Sequence, residues 1–144
     1  MGVKILNLLP VTGDVLTPEM FKYMCKYLEP DTEVQTYQIT SGPPSIECEY
    51  DEALAAADVL RLAKKGEEDG FQAIFINCFG DPAVKAAREY VNIPVFGGFE
   101  PATHFALGLA DNISIVTVMP HVVSLMEGNV SKATSKVRLP MQKN

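Results

Sequence analysis

The stretch FINCFGDP, Phe75–Pro82, ends an apolar run in a cysteine and then turns the chain with Gly, Asp and Pro into a candidate helix. A thiol does proton-transfer or nucleophilic chemistry as its thiolate, and a helix N-terminus stabilises that charge through unpaired N–H groups and the positive end of its dipole. Cys78 has that position in the pattern, and it is the catalytic candidate. Gly80 lets a backbone approach a ligand closely, and Asp81 is the expected N-cap of the next helix. The plain alternative is a buried cysteine that closes a strand.

Other candidate strand ends carry chemistry of the same kind. Pro10-Val11-Thr12 ends the first, Thr40-Ser41-Gly42 the second and Gly97-Gly98-Phe99-Glu100 the fourth, while Thr117 lies near the end of the fifth. Ligands of open parallel sheets bind outside the carboxyl ends of the strands. Pro10, Thr12, Ser41, Gly80, Asp81, Glu100 and Thr117 are therefore the substrate-binding candidates, a rim of hydroxyls and backbone N–H groups suited to a small anion. A hydroxyl at Thr117 is placed to hold a substrate carbonyl; Glu100, beside Pro101, also suits plain capping. No GxGxxG or GxxxxGK[ST] motif is present, so no dinucleotide or P-loop cofactor is expected. There is no CxxC or HxxxH pair, and His104 and His121 lie 17 apart, so no metal site is expected. Both histidines read as solvated or capping residues at helix starts.

Alternating elements must position these groups. VKILNLLP, Val3–Pro10, reads as an apolar strand stopped by proline. Thr17-Pro18-Glu19 opens a helix, and Phe21, Met24, Cys25 and Leu28 keep helical spacing, which places Cys25 on the buried face. Glu33–Thr40 is the second strand and Ser41–Glu49 a rigid loop containing Cys48, read as a surface or half-buried thiol. A helix over Tyr50–Asp69, a strand over Gln72–Cys78 and a helix from Asp81-Pro82 to Tyr90 follow. Ile93–Gly98 reads as a strand, Glu100–Leu109 as a helix, Asn112–Met119 as a fifth strand and Pro120–Ala133 as a last helix. The fold class is α/β, a three-layer sandwich around a mostly parallel sheet.

Composition narrows the classes. The chain has 144 residues, 47% hydrophobic and 21% charged, with net charge -6, and its pI is near 4.8. That acidity argues against nucleic acid, whose phosphates would repel it. No apolar run approaches the roughly 20 residues of a membrane helix. The N-terminus lacks a signal-peptide pattern, and three cysteines, an odd number, read as reduced thiols. The expected location is cytoplasmic. Asn112-Ile113-Ser114 and Asn129-Val130-Ser131 match glycosylation sequons that a cytosolic chain would not use.

Four segments carry a family resemblance. Gly42–Ala55, GPPSIECEYDEALA, resembles the GPxSIExxYDEA stretch of hydantoin and allantoin racemases, and Cys78–Glu89, CFGDPAVKAARE, resembles their CFxDPGxxAARE stretch. Ile93–Ala102, IPVFGGFEPA, is similar to the segment that opens their second lobe, and Ser114–Val130 to their SVVTV strand and following helix. The likeness runs over about residues 3 to 130, and the chain is identified as a member of the aspartate/glutamate/hydantoin racemase superfamily.

The resemblance implies cofactor-independent racemisation. One thiolate removes a proton from an α carbon and a thiol on the opposite face returns one, while N–H donors hold the enolate-like charge. Cys78 matches the first-lobe cysteine. The family's second cysteine lies in a C-terminal half that this sequence does not reach, and Cys25 and Cys48 do not match it. The family's first strand commonly ends in NPNT, where this chain has Leu9-Pro10-Val11-Thr12. The expected organisation is a first α/β lobe over residues 1–95, a partial second lobe over 96–133 and an irregular tail over 134–144. A fragment, a truncated gene and a degenerate relative all fit that organisation.

Two functions follow from different classes. The first is an isomerase that racemises a hydantoin, allantoin or an acidic amino acid, with a small anionic or hydantoin-type substrate. The second is a catalytically incomplete lobe that binds a small molecule or a subunit. Sheet edges and apolar helix faces left open by half a lobe would favour homo-oligomers.

Overall fold

A computed structural model describes residues 2–117 and 119–134, with the side chains of His121 and residues 132–134 outside the description. The expected irregular tail, beyond residue 134, also lies outside it. Strand β1, Lys4–Leu9, is followed by helix α1, Pro18–Met24, and a short 3-10 helix, Cys25–Tyr27. Strand β2, Glu33–Gln38, helix α2, Glu49–Glu68, strand β3, Ala73–Ile76, and helix α3, Val84–Tyr90, come next. Strand β4, Val95–Phe96, leads into helix α4, Phe99–Leu107, and helix α5, Pro120–Thr134, is last.

The four strands form one parallel sheet in the order β2-β1-β3-β4. β1 is inside it, paired on one side through Leu6 and Gln35 and on the other through Leu6 and Ile74. A central parallel strand is buried on both faces, which explains the nearly unbroken apolar run of KILNLL. Leu6, Leu8, Ile74 and Ile76 are fully buried and pack with Ala55, Val59, Leu62 and Ala63 of α2 and with Val84 and Ala87 of α3. This is the main core. A smaller one, Phe99, Val122, Leu125 and Met126, joins α4 to α5.

Local chemistry sets several boundaries. Thr17 Oγ1 accepts from Met20 N at 3.2 Å, and Pro18 occupies the first turn of α1, as its sequence predicts. In α2, Glu49, Asp51 and Glu52 crowd the N-terminal turn, where the helix dipole favours negative charge.

Three expectations fail here. Cys25 does not sit on a buried helix face: α1 stops at Met24, none of its residues is buried, and Cys25 is half-buried at the start of the 3-10 helix. The turn tightens there, so the helical spacing that would bury Cys25 does not persist. The fifth strand is also absent among the described residues. Asn112–Thr117 has no regular structure and joins no sheet among the described residues, and Val116 is 96% exposed. A β-branched run becomes a strand only when a neighbour takes its N–H and C=O groups, and none is beside it. β4 is shorter than expected as well, two residues rather than six. Gly97 and Gly98 lie beyond it, packed against the loop after β3.

Candidate functional site

β3 delivers Cys78 to the C-terminal edge of the sheet. Asn77 N donates to Leu8 O at 2.8 Å, the last tie to the ladder, and Cys78 N then turns back onto Ile76 O at 2.9 Å. Asp81 N closes the next turn onto Cys78 O at 3.2 Å. Asp81 and Ala83 both lie in the left-handed region, with φ of 56° and 57°. Such backbone is unfavourable for residues with a Cβ and persists only where surrounding contacts hold it.

Asp81 supplies one of those contacts, and it corrects the sequence reading. The residue does not cap the helix that follows it. α3 begins at Val84, after Ala83. The Asp81 carboxylate instead crosses to α4, where Oδ1 accepts from Phe99 N at 2.8 Å and Oδ2 from Glu100 N at 3.0 Å. The left-handed turn at Asp81 carries the side chain away from α3 and toward the chain that leaves β4. Any side chain at Gly97 would collide with this carboxylate, so close approach requires glycine there. Burial pushes the Asp81 carboxyl up, opposed by the N–H groups of Phe99 and Glu100.

The thiol differs from expectation too. Burial pushes the Cys78 thiol above the ordinary range; the Gly80 N–H bonded to the sulfur opposes this, and the negative charges of Glu52 and Asp81 add to it. The helix that was to stabilise a thiolate starts at Val84, six residues on, and a helix dipole acts only within its first turn. At neutral pH Cys78 is a protonated thiol. Gly80 sits between sulfur and helices: a Cβ there would stand 2.5 Å from Glu52 Oε1, 3.5 Å from Leu125 Cδ2 and 3.6 Å from Cys78 Sγ.

Other candidates are engaged in structure. Pro10 is fully buried. Thr12 N donates to Pro43 O at 2.9 Å, tying the loop after β1 to the loop after β2. Ser41 N and Thr40 N donate to Asp58 Oδ2 at 3.2 and 2.7 Å, leaving the Ser41 residue exposed. Glu100 pairs with Arg88 Nη1 at 2.6 Å, and Arg88 Nε reaches Val95 O at 2.8 Å, which links α3, β4 and α4. Thr117 lines a cleft of about 730 Å³ with Thr103, His104, Met126 and Val130, between α4 and α5. A second cleft of about 450 Å³ lies over the sheet face of Ile5, Asn7 and Phe75. Cys78 lines neither. His104 falls in the last turn of α4, not its first, and His121 lies in the first turn of α5 with its side chain outside the description.

Sequence reasoning missed Glu52 and Asn129. Glu52 reads as an ordinary first-turn acid of α2, and only the approach of α2 to the thiol loop gives it a role. Asn129 continues the apolar face of Val122, Leu125 and Met126, and a polar residue at that spacing was the available signal. Its Nδ2 donates to Gly80 O at 2.8 Å in a buried contact.

All three cysteines are free; Cys48 Sγ lies 3.3 Å from Asp51 Oδ2 at the start of α2. Among the described residues no group of three or more His, Cys, Asp or Glu is placed to hold a metal, and no helix is long and apolar enough to cross a membrane.

Comparison with known proteins gives one consistent answer. The family model described as Asp/Glu/Hydantoin racemase matches residues 5–144. The hydantoin racemase of Pseudomonas sp. (strain NS671) is 37% identical over 127 residues, 88% of this chain and 50% of the relative. That of Paenarthrobacter aurescens is 30% identical over 95% of this chain and 58% of its own length. Among solved structures, the allantoin racemase from Klebsiella pneumoniae superposes with a TM-score of 0.86 at 34% identity, covering 92% of this chain and 54% of that one. The chain thus spans about half the length of the relatives it matches.

Proposed function

Because the chain belongs to the Asp/Glu/hydantoin racemase family, we propose that Cys78 transfers the proton at the α carbon of a small hydantoin-type or acidic amino-acid substrate, without a cofactor. The observation that carries this reading is the sulfur just past the end of β3, in a loop where Gly80 packs between it and the Glu52 carboxylate of α2. In the forward direction a Cys78 thiolate accepts the proton from carbon; in the reverse the thiol returns it. Since burial keeps the sulfur protonated, proton abstraction rises with pH, about tenfold per unit until the thiol titrates. Thr12 and Ser41, on the loops after β1 and β2, are the proposed hydroxyl contacts to substrate. By the family resemblance, the second proton-transfer group falls in the half of the relatives' length that this chain does not match.

Incubation with L- and D-5-substituted hydantoins, aspartate and glutamate in D2O tests the reading. NMR follows α-proton loss, and optical rotation follows inversion. Exchange without inversion is expected, and Cys78→Ser should slow it by about 10²–10⁴. A folded sample that shows no exchange with any of these substrates sinks the reading for this chain. Substrate binding by calorimetry without exchange would instead support a catalytically incomplete binding lobe, which the protonated, singly placed thiol also fits.

A further inference from the structure

We infer that Asn129 is a positioning residue for Cys78: its amide, carried on α5, fixes Gly80 so that the Gly80 backbone stays packed against the sulfur. The inference rests on the reading of Cys78 as the proton-transfer thiol. Asn129 is 7% exposed, and its Nδ2 donates to Gly80 O at 2.8 Å across 49 residues of sequence. A buried amide is tolerated only where it is hydrogen-bonded, and an apolar residue at this point of α5 would serve packing alone. Leu125, one turn earlier, approaches Gly80 from the same side, as residues four apart on a helix do.

The loop needs such a hold. Asp81 and Ala83 are in left-handed backbone, and the bond from Gly98 N to Cys78 O is long, 3.4 Å. Asp81 anchors the far side of the loop to α4, and Asn129 anchors the carbonyl of Gly80, the residue packed against Sγ. Without the amide, Gly80 is the residue free to rotate, since it alone in this turn has no Cβ. Charge toward the sulfur comes from Glu52 of α2 and from Asp81 of the loop, while α5 presents Leu125 and Asn129. Losing the Gly80 N–H would leave those two carboxylates and burial unopposed. The Asn129-Val130-Ser131 sequon thereby has a use inside the fold, because its amide is already a buried donor.

The test is the pH dependence of Cys78 alkylation by iodoacetamide, in a chain carrying Cys25→Ser and Cys48→Ser. Asn129→Ala and Asn129→Leu should each raise the alkylation midpoint and slow the neutral-pH rate about three- to tenfold, with the plateau at high pH unchanged. Leu125→Ala, which loosens the same helix without breaking the bond, should leave the midpoint in place. A parental midpoint in either folded Asn129 variant overturns the inference. So does an equal shift in Leu125→Ala, or loss of the fold in both Asn129 variants, which would make the amide a stability contact only. Alkylation needs no substrate, so a shifted midpoint with no α-proton exchange would defeat the racemase reading and leave the positioning of the thiol standing.

Discussion

The sheet with α2 and α3 and the region from α4 onward start from equally apolar sequence, and they fare differently. In the first, Leu6, Leu8, Ile74 and Ile76 are wholly buried between strands that complete each other's hydrogen bonds. In the second, α4 and α5 share only a small core, while Phe105, Leu109 and Val116 stand 73%, 76% and 96% exposed. An apolar pattern therefore specifies a readiness to be buried, and the neighbour decides whether burial happens. Cys78 lies where the two regions meet. Its strand belongs to the first, and its loop is held from the second through Asp81 and Asn129.

That contrast predicts unequal costs. Leu8→Ala, in the main core, should destabilise by about 3–5 kcal/mol, and Leu125→Ala, in the small one, by about 2–3 kcal/mol. Urea unfolding followed by circular dichroism measures both; equal losses would mean that the two cores are one cooperative unit of the same density. Asp81→Ala should come next, at about 1–2 kcal/mol, because it removes the acceptor for two N–H groups of α4 and puts alanine in left-handed backbone. Its signature is faster amide exchange at Phe99 and Glu100 with the β1 and β3 amides unchanged. Faster exchange across the sheet as well would show that the joint is not local. The smallest effect belongs to Val116→Ser, expected within about 0.5 kcal/mol. A larger loss would show that the segment is covered by something in solution, and size-exclusion chromatography at several concentrations would say whether a second copy covers it.

Much of the first region was legible beforehand. Proline at 18 after a capping threonine, the places of the first four strands and the alternation of strand and helix each depend on neighbours in sequence, and each appears in the structure. The thiol's place at a strand end was legible for the same reason. Its charge state was not, because the helix start, the approach of Glu52 and the burial of the sulfur are set by contacts far along the chain. Glu100 shows the same limit: its sequence position fits capping or a ligand, and only the fold pairs it with Arg88.

By itself, then, the sequence determined the α/β class, the parallel sheet and the strand-end position of Cys78, since hydrophobic period, caps and turn residues act over a few residues. The tertiary structure decided the rest. It left Asn112–Thr117 without a ladder, carried the Asp81 carboxylate to α4 and brought the Asn129 amide to Gly80. Hydrogen bonds between residues 18 or 49 apart, and the burial that raises a thiol above its ordinary range, exist only once the chain has folded on itself.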